Sequence, residues 1–290
     1  MLCLAPIAAL LLAGCTHMPT PAPLSVEAAQ GCEHLLDALR STFLLHEVRT
    51  GRTIVCNPDR AEQRLTPAST FKIAHALIAL ETGVVEDETQ RFAWDGLARG
   101  VRAWDRDTSL AEAMAPSTVW VFQAIADRIG AEREAAWVSQ LDYGNADSGS
   151  AAQLRTFWLS GPLAISADEQ VRFLTHLRAG TLDASQKNQQ RVAAMIRLRD
   201  CGPGCSVHGK TGAVLPIDNT GQLRSGANEL LPSEGRTGWF VGWVERPNDA
   251  GGAVVFAYNV DLDVPNAMAT RTEVAYAVLT ANGVQTAATR

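Results

Sequence analysis

The chain of 290 residues, 47% hydrophobic and 19% charged, can bury a real core and suits one large or two ordinary domains. A net charge of -6 excludes the basic footprint of a nucleic-acid binder. Of the 25 basic residues 22 are Arg, and only Lys72, Lys187 and Lys210 are lysines. Arginine keeps its proton in a protein whereas a buried lysine can lose it, so each lysine is a candidate for chemistry.

The first 14 residues are apolar and uncharged. They are too few to span a bilayer as a helix and read as a signal segment. Leu12-Ala-Gly-Cys15 resembles the processing box of bacterial lipoproteins, with Cys15 the lipidated residue. A plain signal peptide beside a chance cysteine is the other reading. No basic residue precedes the apolar run, so whether Met1 is the true start stays open. Residues 15–25, with Pro19, Pro21 and Pro23, read as a flexible tether. The expected place is the periplasm, with lipid as the sole membrane attachment. Four cysteines remain: Cys32, Cys56, Cys201 and Cys205. An even number in an exported chain suggests disulfides, Cys201 with Cys205 across a tight turn and Cys32 with Cys56. Sequence alone leaves the connectivity open. No His sits at ligand spacing near either pair, so a metal is not expected.

Residues 26–40 read as an amphipathic helix, and 42–48 and 53–56 as a β-hairpin. Thr66 suits an N-cap and Pro67 a first helical position, opening a helix that Gly83 closes. A Trp-rich irregular stretch spans Trp94 to Trp104. Helices are expected at 108–115, 119–129 and 131–140, with loop at 142–165. Ser166-Ala-Asp-Glu169 fits a capping box opening a helix to about 178, and another covers 184–198. Residues 207–210, 238–245 and 253–260 read as strands, and 271–281 as a final amphipathic helix. The Gly/Asn/Ser/Pro-rich segment 214–236 is a loop long enough to suggest a function. Strand-rich ends thus enclose a helical middle. The reading is an α/β (α+β) fold, with 26–62 and 200–290 sharing one antiparallel sheet flanked by the first and last helices, and 63–199 an inserted helical domain. Ser69 falls near their junction, where ligand clefts are common.

The chemistry starts at Ser69. It lies in a first helical turn, where backbone N–H groups lack partners within the helix. Lys72 stands one turn on, on the same face. A hydroxyl, an amine and an amide donor supply the nucleophile, base and oxyanion donor of an acyl-transfer enzyme. An early-helix serine with a solvated lysine is the plain reading. Ser117-Thr-Val119 alone is an N-cap, Tyr143-Gly-Asn145 a turn, Trp158-Leu159 before Gly161-Pro162 loop packing, and Lys210-Thr-Gly212 a strand end. Their joint occurrence in this order is the specific signal.

The set resembles the class D serine β-lactamases, the oxacillinases, within the penicillin-recognising serine enzymes. The resemblance runs from about Thr42 to Leu279. It rests on Ser69-Thr-Phe-Lys72, Trp94-Asp-Gly96, Ala113-Met-Ala-Pro-Ser-Thr-Val119, Phe157-Trp-Leu-Ser-Gly-Pro-Leu163, Ile165-Ser-Ala-Asp-Glu-Gln170 and His208-Gly-Lys-Thr-Gly212. It implies hydrolysis of β-lactams through an acyl-enzyme on Ser69. Lys72 would be the base, as an N-carboxylated lysine made with carbon dioxide or bicarbonate and no other cofactor. Ser117 would relay a proton to the leaving nitrogen. Val119, Trp158 and Leu159 would wall the lysine, with the Trp158 indole holding the carbamate. Lys210, Thr211, Gly212 and Arg271 would hold the substrate, and the amides of Ser69 and Ala213 would form the oxyanion hole. An apolar wall favours a neutral amine, which can add carbon dioxide. Ala213 departs from the aromatic residue often found after Lys-Thr-Gly in this family. No Glu-x-x-Leu-Asn of the class A enzymes is present. A penicillin-binding transpeptidase or carboxypeptidase and a non-hydrolysing β-lactam sensor are the alternatives. Preferred β-lactam class and oligomeric state stay open.

Overall fold

The computed structural model describes residues 27–28, 30–222, 236–247 and 251–287. The expected leader, the tether and Cys15 lie outside them, as does most of the 214–236 loop. The strands are β1 (Glu27–Ala28), β2 (Ser41–Glu47), β3 (Thr53–Cys56), β4 (Arg91–Phe92), β5 (Thr108–Ser109), β6 (Arg197–Gly202), β7 (Cys205–Ala213), β8 (Thr237–Glu245) and β9 (Val254–Asp261). The helices are α1 (Pro58–Glu62), α2 (Lys72–Glu81), α3 (Leu110–Met114), α4 (Val119–Ile129), α5 (Ala131–Gln140), α6 (Phe157–Ser160), α7 (Ala167–Ala179), α8 (Gln186–Met195) and α9 (Ala267–Ala281).

Seven strands form one sheet in the order β1-β3-β2-β9-β8-β7-β6, and β4 and β5 pair separately. Every pairing in the large sheet is antiparallel except that of β1 with β3. The two ends of the chain therefore meet at β2 and β9, from Ser41↔Val260 to Glu47↔Val254. Side chains alternate across a strand, so each strand feeds two cores. Phe43, Leu45, Phe240, Phe256 and Tyr258 face Val274, Val278 and Leu279 of α9. Leu44, Trp239, Val241, Trp243, Val255 and Ala257 join the core of the helices on the other face. With both faces covered, β8 is buried from Thr237 to Val244. In the helical core α2 is buried from Lys72 to Leu80, as expected of a helix apolar nearly all round.

Two sequence expectations for helices change. Residues 26–40 carry β1 and one 3-10 turn, Cys32–His34, in place of an amphipathic helix. Gly31 adopts the left-handed φ of 87° before that turn. A disulfide from Cys32 to Cys56 pins it to the sheet, and Asp37 Oδ1 accepts from the amides of Leu39 and Arg40. Each bond suits a turn rather than a continuing helix. The expected helix 184–198 ends at Met195, and residues 197–202 leave it to become the edge strand β6.

Smaller differences follow local chemistry. Thr108–Ser109 is a strand that caps α3, with Ser109 and Glu112 forming a capping box. The 142–165 loop carries a 3-10 turn at Ala151–Gln153 and α6. The final helix starts at Ala267, four residues earlier than expected, after Asn266 in the left-handed region. The capping box of Ser166 and Glu169 forms as expected.

Both cysteine pairs are disulfides: Cys32–Cys56 spans 24 residues and Cys201–Cys205 spans four. The longer loop restrains the unfolded chain more. Replacing Cys32 and Cys56 by Ala is expected to cost about 3 kcal/mol, and replacing Cys201 and Cys205 about 2 kcal/mol. Denaturant unfolding of the two double variants measures the difference, and an equal loss would mean that native-state effects outweigh chain entropy.

Candidate active site

The turn before α2 sets the first half of the site. Ala68–Phe71 is a 3-10 helix that runs straight into α2. Its N-cap is Pro67, with no side-chain cap, so the capping role expected of Thr66 is not realised. The Thr66 carbonyl instead accepts from the Trp239 indole at 3.0 Å, which ties the turn to β8. Thr70 donates to the Pro67 carbonyl from both its amide and its hydroxyl, and Gln170 donates to that hydroxyl. Ser69 is thereby held on a turn fastened from three sides. Its neighbour Ala68 has φ 49°, a left-handed conformation costly for a residue with a Cβ.

Lys72 Nζ lies 2.9 Å from Ser69 Oγ. Lys72 is fully buried, 0% exposed. Burial, and then the nearby Lys210 charge, hold its amine well below the ordinary lysine range. Its flanking rings are Phe122, with Nζ 5.3 Å from the centroid, and its chain neighbour Phe71. Phe71 and His75 both pack on Trp158, at 6.0 Å and 5.1 Å between centroids. Trp158 and Leu159 sit side by side in α6, both buried in the same core. Trp158 Nε1 is buried with no hydrogen-bond partner.

The second half comes from β7 and the turn before α4. Ser117 has φ 59°, the second left-handed non-glycine residue at the site. Lys210 Nζ donates to Ser117 Oγ and, at 2.9 Å, to the Thr211 carbonyl. Burial, and then Arg271, bring the Lys210 amine down to about 7. Gly212 lets β7 approach the Ser69 turn closely. A Cβ there would stand 2.8 Å from the Pro67 carbonyl oxygen and 3.1 Å from Thr70 Cγ2. Arg271 lies in the second turn of α9 rather than at its start, and donates to the Met268 carbonyl.

Ser69, Ser117, Val119, Thr211, Gly212, Ala213 and Arg271 line one cleft of ≈ 220 Å³. Lys72 and Lys210 reach it through their bonds to the two serines. Trp104, Leu215, Ile217 and Met268 also line it, and the sequence reading did not select them. Trp104 belongs to the Trp-rich stretch, and its indole donates to the Pro116 carbonyl beside Ser117. Leu215 and Ile217 begin the long loop. They place apolar surface on the cleft just past Ala213. Among the described residues no group of three or more His, Cys, Asp or Glu is placed to hold a metal ion.

Residues 42–280 match the family model of the penicillin binding protein transpeptidase domain. The chain is 39% identical over 215 residues to β-lactamase OXA-2 of Salmonella typhimurium, covering 74% of this chain and 68% of that one. It is 34% identical over 261 residues to β-lactamase OXA-5 of Pseudomonas aeruginosa, covering 90% and 91%. The class D β-lactamase YbXI from Nostoc superposes with a TM-score of 0.77 at 32% identity, covering 88% of this chain and 99% of that one. The class D β-lactamase from Bacillus subtilis does so with a TM-score of 0.75 at 33% identity, covering 90% and 99%. The transpeptidase-like fold is shared by several penicillin-recognising enzymes, but likeness to these relatives runs through both sequence and structure, and the chain belongs to the class D serine β-lactamases.

Proposed function

We propose that the chain hydrolyses β-lactam antibiotics through an acyl-enzyme on Ser69, with Lys72 N-carboxylated as the base. The observation that carries this is the buried amine, 2.9 Å from the Ser69 hydroxyl and far from its ordinary pKa. A neutral amine can attack carbon dioxide: the N–C bond forms, one C=O pair moves to oxygen, and the N–H proton passes to water. The buried, unpartnered Trp158 Nε1–H fits an anionic oxygen held against these rings. Carboxylated, Lys72 supplies an oxygen base for the Ser69 proton and later for water.

The remaining residues bind and relay. Ser69 Oγ bonds to the lactam carbonyl carbon, the C–N bond breaks, and Ser117 passes a proton to the leaving nitrogen. Lys210 holds Ser117 and, with Thr211 and Arg271, presents donors and charge to the substrate carboxylate. The amides of Ser69 and Ala213 serve the oxyanion. Two disulfides suit an oxidising compartment, which supports an exported, periplasmic chain, and the lipid tether at Cys15 rests on the Leu12-Ala-Gly-Cys15 motif.

Three expected outcomes test this reading. Intact-protein mass spectrometry should find a penicillin adduct on the wild-type chain and none on Ser69→Ala; an adduct at another serine overturns the nucleophile. Lowering the pH protonates the Lys72 amine, which then cannot hold carbon dioxide. Turnover should therefore fall as the solution is made more acid, and recover with added bicarbonate. A ¹³C carbamate signal from labelled bicarbonate should accompany the recovery, and Lys72→Arg should be nearly inactive because a guanidinium stays charged. Absence of both bicarbonate rescue and signal would leave Lys72 a free-amine base, as in the transpeptidase alternative. Cell fractionation should place the wild-type chain with membranes and Cys15→Ala away from them; a wild-type chain wholly in the soluble periplasmic fraction rules out the anchor.

A further inference from the structure

The roles above leave one buried polar pair unused. His75 sits on α2 one turn beyond Lys72, and Glu134 faces it from α5. Both are fully buried, with His75 Nε2 3.3 Å from Glu134 Oε2. That approach is of ion-pair length but not aligned as a hydrogen bond. Neither imidazole nitrogen and neither carboxylate oxygen has a hydrogen-bond partner. Packing alone would be served as well by apolar side chains of similar volume, since burying such a pair carries a large desolvation cost.

The surroundings say what the pair touches. The His75 ring packs on Phe71 at 5.2 Å, on Phe122 at 5.8 Å, and on Trp158 at 5.1 Å with planes 65° apart. Phe122 is the ring under the Lys72 amine. Trp158 has no hydrogen bond to fix its indole, so its direction depends on packing. Phe71, Phe157 and His75 supply that packing. Of the three rings only His75 is in turn set by a polar neighbour, Glu134.

We propose that His75, oriented by Glu134, is a positioning residue that aims the Trp158 indole N–H at the carboxyl group on Lys72. The inference rests on the carboxylated-lysine reading and deepens it. Neither residue of the pair lines the cleft. It acts on how tightly carbon dioxide is held, in the way that residues behind a metal ligand tune the metal.

The test compares the wild-type chain with Glu134→Gln and with the apolar double variant His75→Phe/Glu134→Met. Turnover is followed against bicarbonate at one pH, alongside the ¹³C carbamate signal and thermal unfolding. Glu134→Gln should need about 10-fold more bicarbonate for half-maximal kcat, with kcat recovered at saturation and KM for the β-lactam unchanged. The double variant should fold and show the same raised requirement. Wild-type bicarbonate dependence in a folded double variant would overturn the proposal and make the pair structural. Should the variants fail to fold, the wild-type chain decides. The ring ¹⁵N signals of His75, assigned by proximity to Trp158 and Phe122, should shift as the carbamate signal grows. Signals that stay fixed while the carbamate forms would overturn the proposal but leave the Lys72 base intact. No carbamate signal at any bicarbonate concentration would sink both.

Discussion

Burial of the Lys72 amine is the constraint on which the site depends. An ammonium taken out of water loses its hydration, and among the described residues no carboxylate stands against this one to replace it. The neutral form is favoured, and a neutral amine can accept a proton. That result needs a helix with no wet face at its N-terminal end. Helix α2 provides it, because α4, α5 and α8 pack against it and every residue from Lys72 to Leu80 is buried. The turn at Ser69 then stands where the buried helix meets the cleft, with Ser69 lining the cleft and Lys72, three residues on, fully buried.

The sheet supplies what local sequence cannot. Lys210 lies 138 positions after Lys72 in the chain. It reaches the site because β7 pairs with β8 in the register Lys210↔Val241, and because Gly212 removes the Cβ that would hold the strand away from the Pro67 carbonyl. The Trp239 indole fastens the adjacent strand to Thr66. Strand and turn are thus held at backbone contact distance. Two left-handed residues, Ala68 and Ser117, are held at that junction, where surrounding packing must offset a local cost of roughly 1–3 kcal/mol each.

Much of this was legible in the sequence wherever the determining contacts are short in range. Helices α4 and α5 begin and end where periodicity and Gly130 place them. The Ser166–Glu169 box opened α7 on schedule. Ser69 and Lys72 were readable because three residues of helix bring them together. The failures have the opposite character. The segment 26–40 has helical periodicity, but a disulfide to Cys56 and a left-handed Gly31 decide its path. Strand β6 is polar and mostly exposed at Arg197–Asp200, so it carried no alternation to separate it from α8. Trp104, Leu215 and Ile217 join the cleft through tertiary packing. His75 and Glu134 each read as an unremarkable helix position, since they stand 59 positions apart and only the packing of α5 on α2 makes them a pair.

The cations of the cleft also act on one another in series. Arg271 depresses Lys210, and Lys210 depresses Lys72, each adding to the larger effect of burial. With an amine on Lys72, three like charges would crowd one cleft, and the innermost is the one most easily given up because it is the least solvated. A carboxyl group on Lys72 reverses the sign at that end. The inner site then carries a negative charge, which favours the ammonium form of Lys210 in place of opposing it. A substrate carboxylate at Thr211 and Arg271 pushes Lys210 the same way from the outer side. An amine poised at about 7 is therefore readily kept charged by an anion on either side. The roles proposed for Lys210 toward Ser117 and a substrate carboxylate are strongest while it is charged. On the carboxylated-lysine reading, the group on Lys72 thus favours the charged form of Lys210, a part that a permanently charged arginine at position 72 could not take.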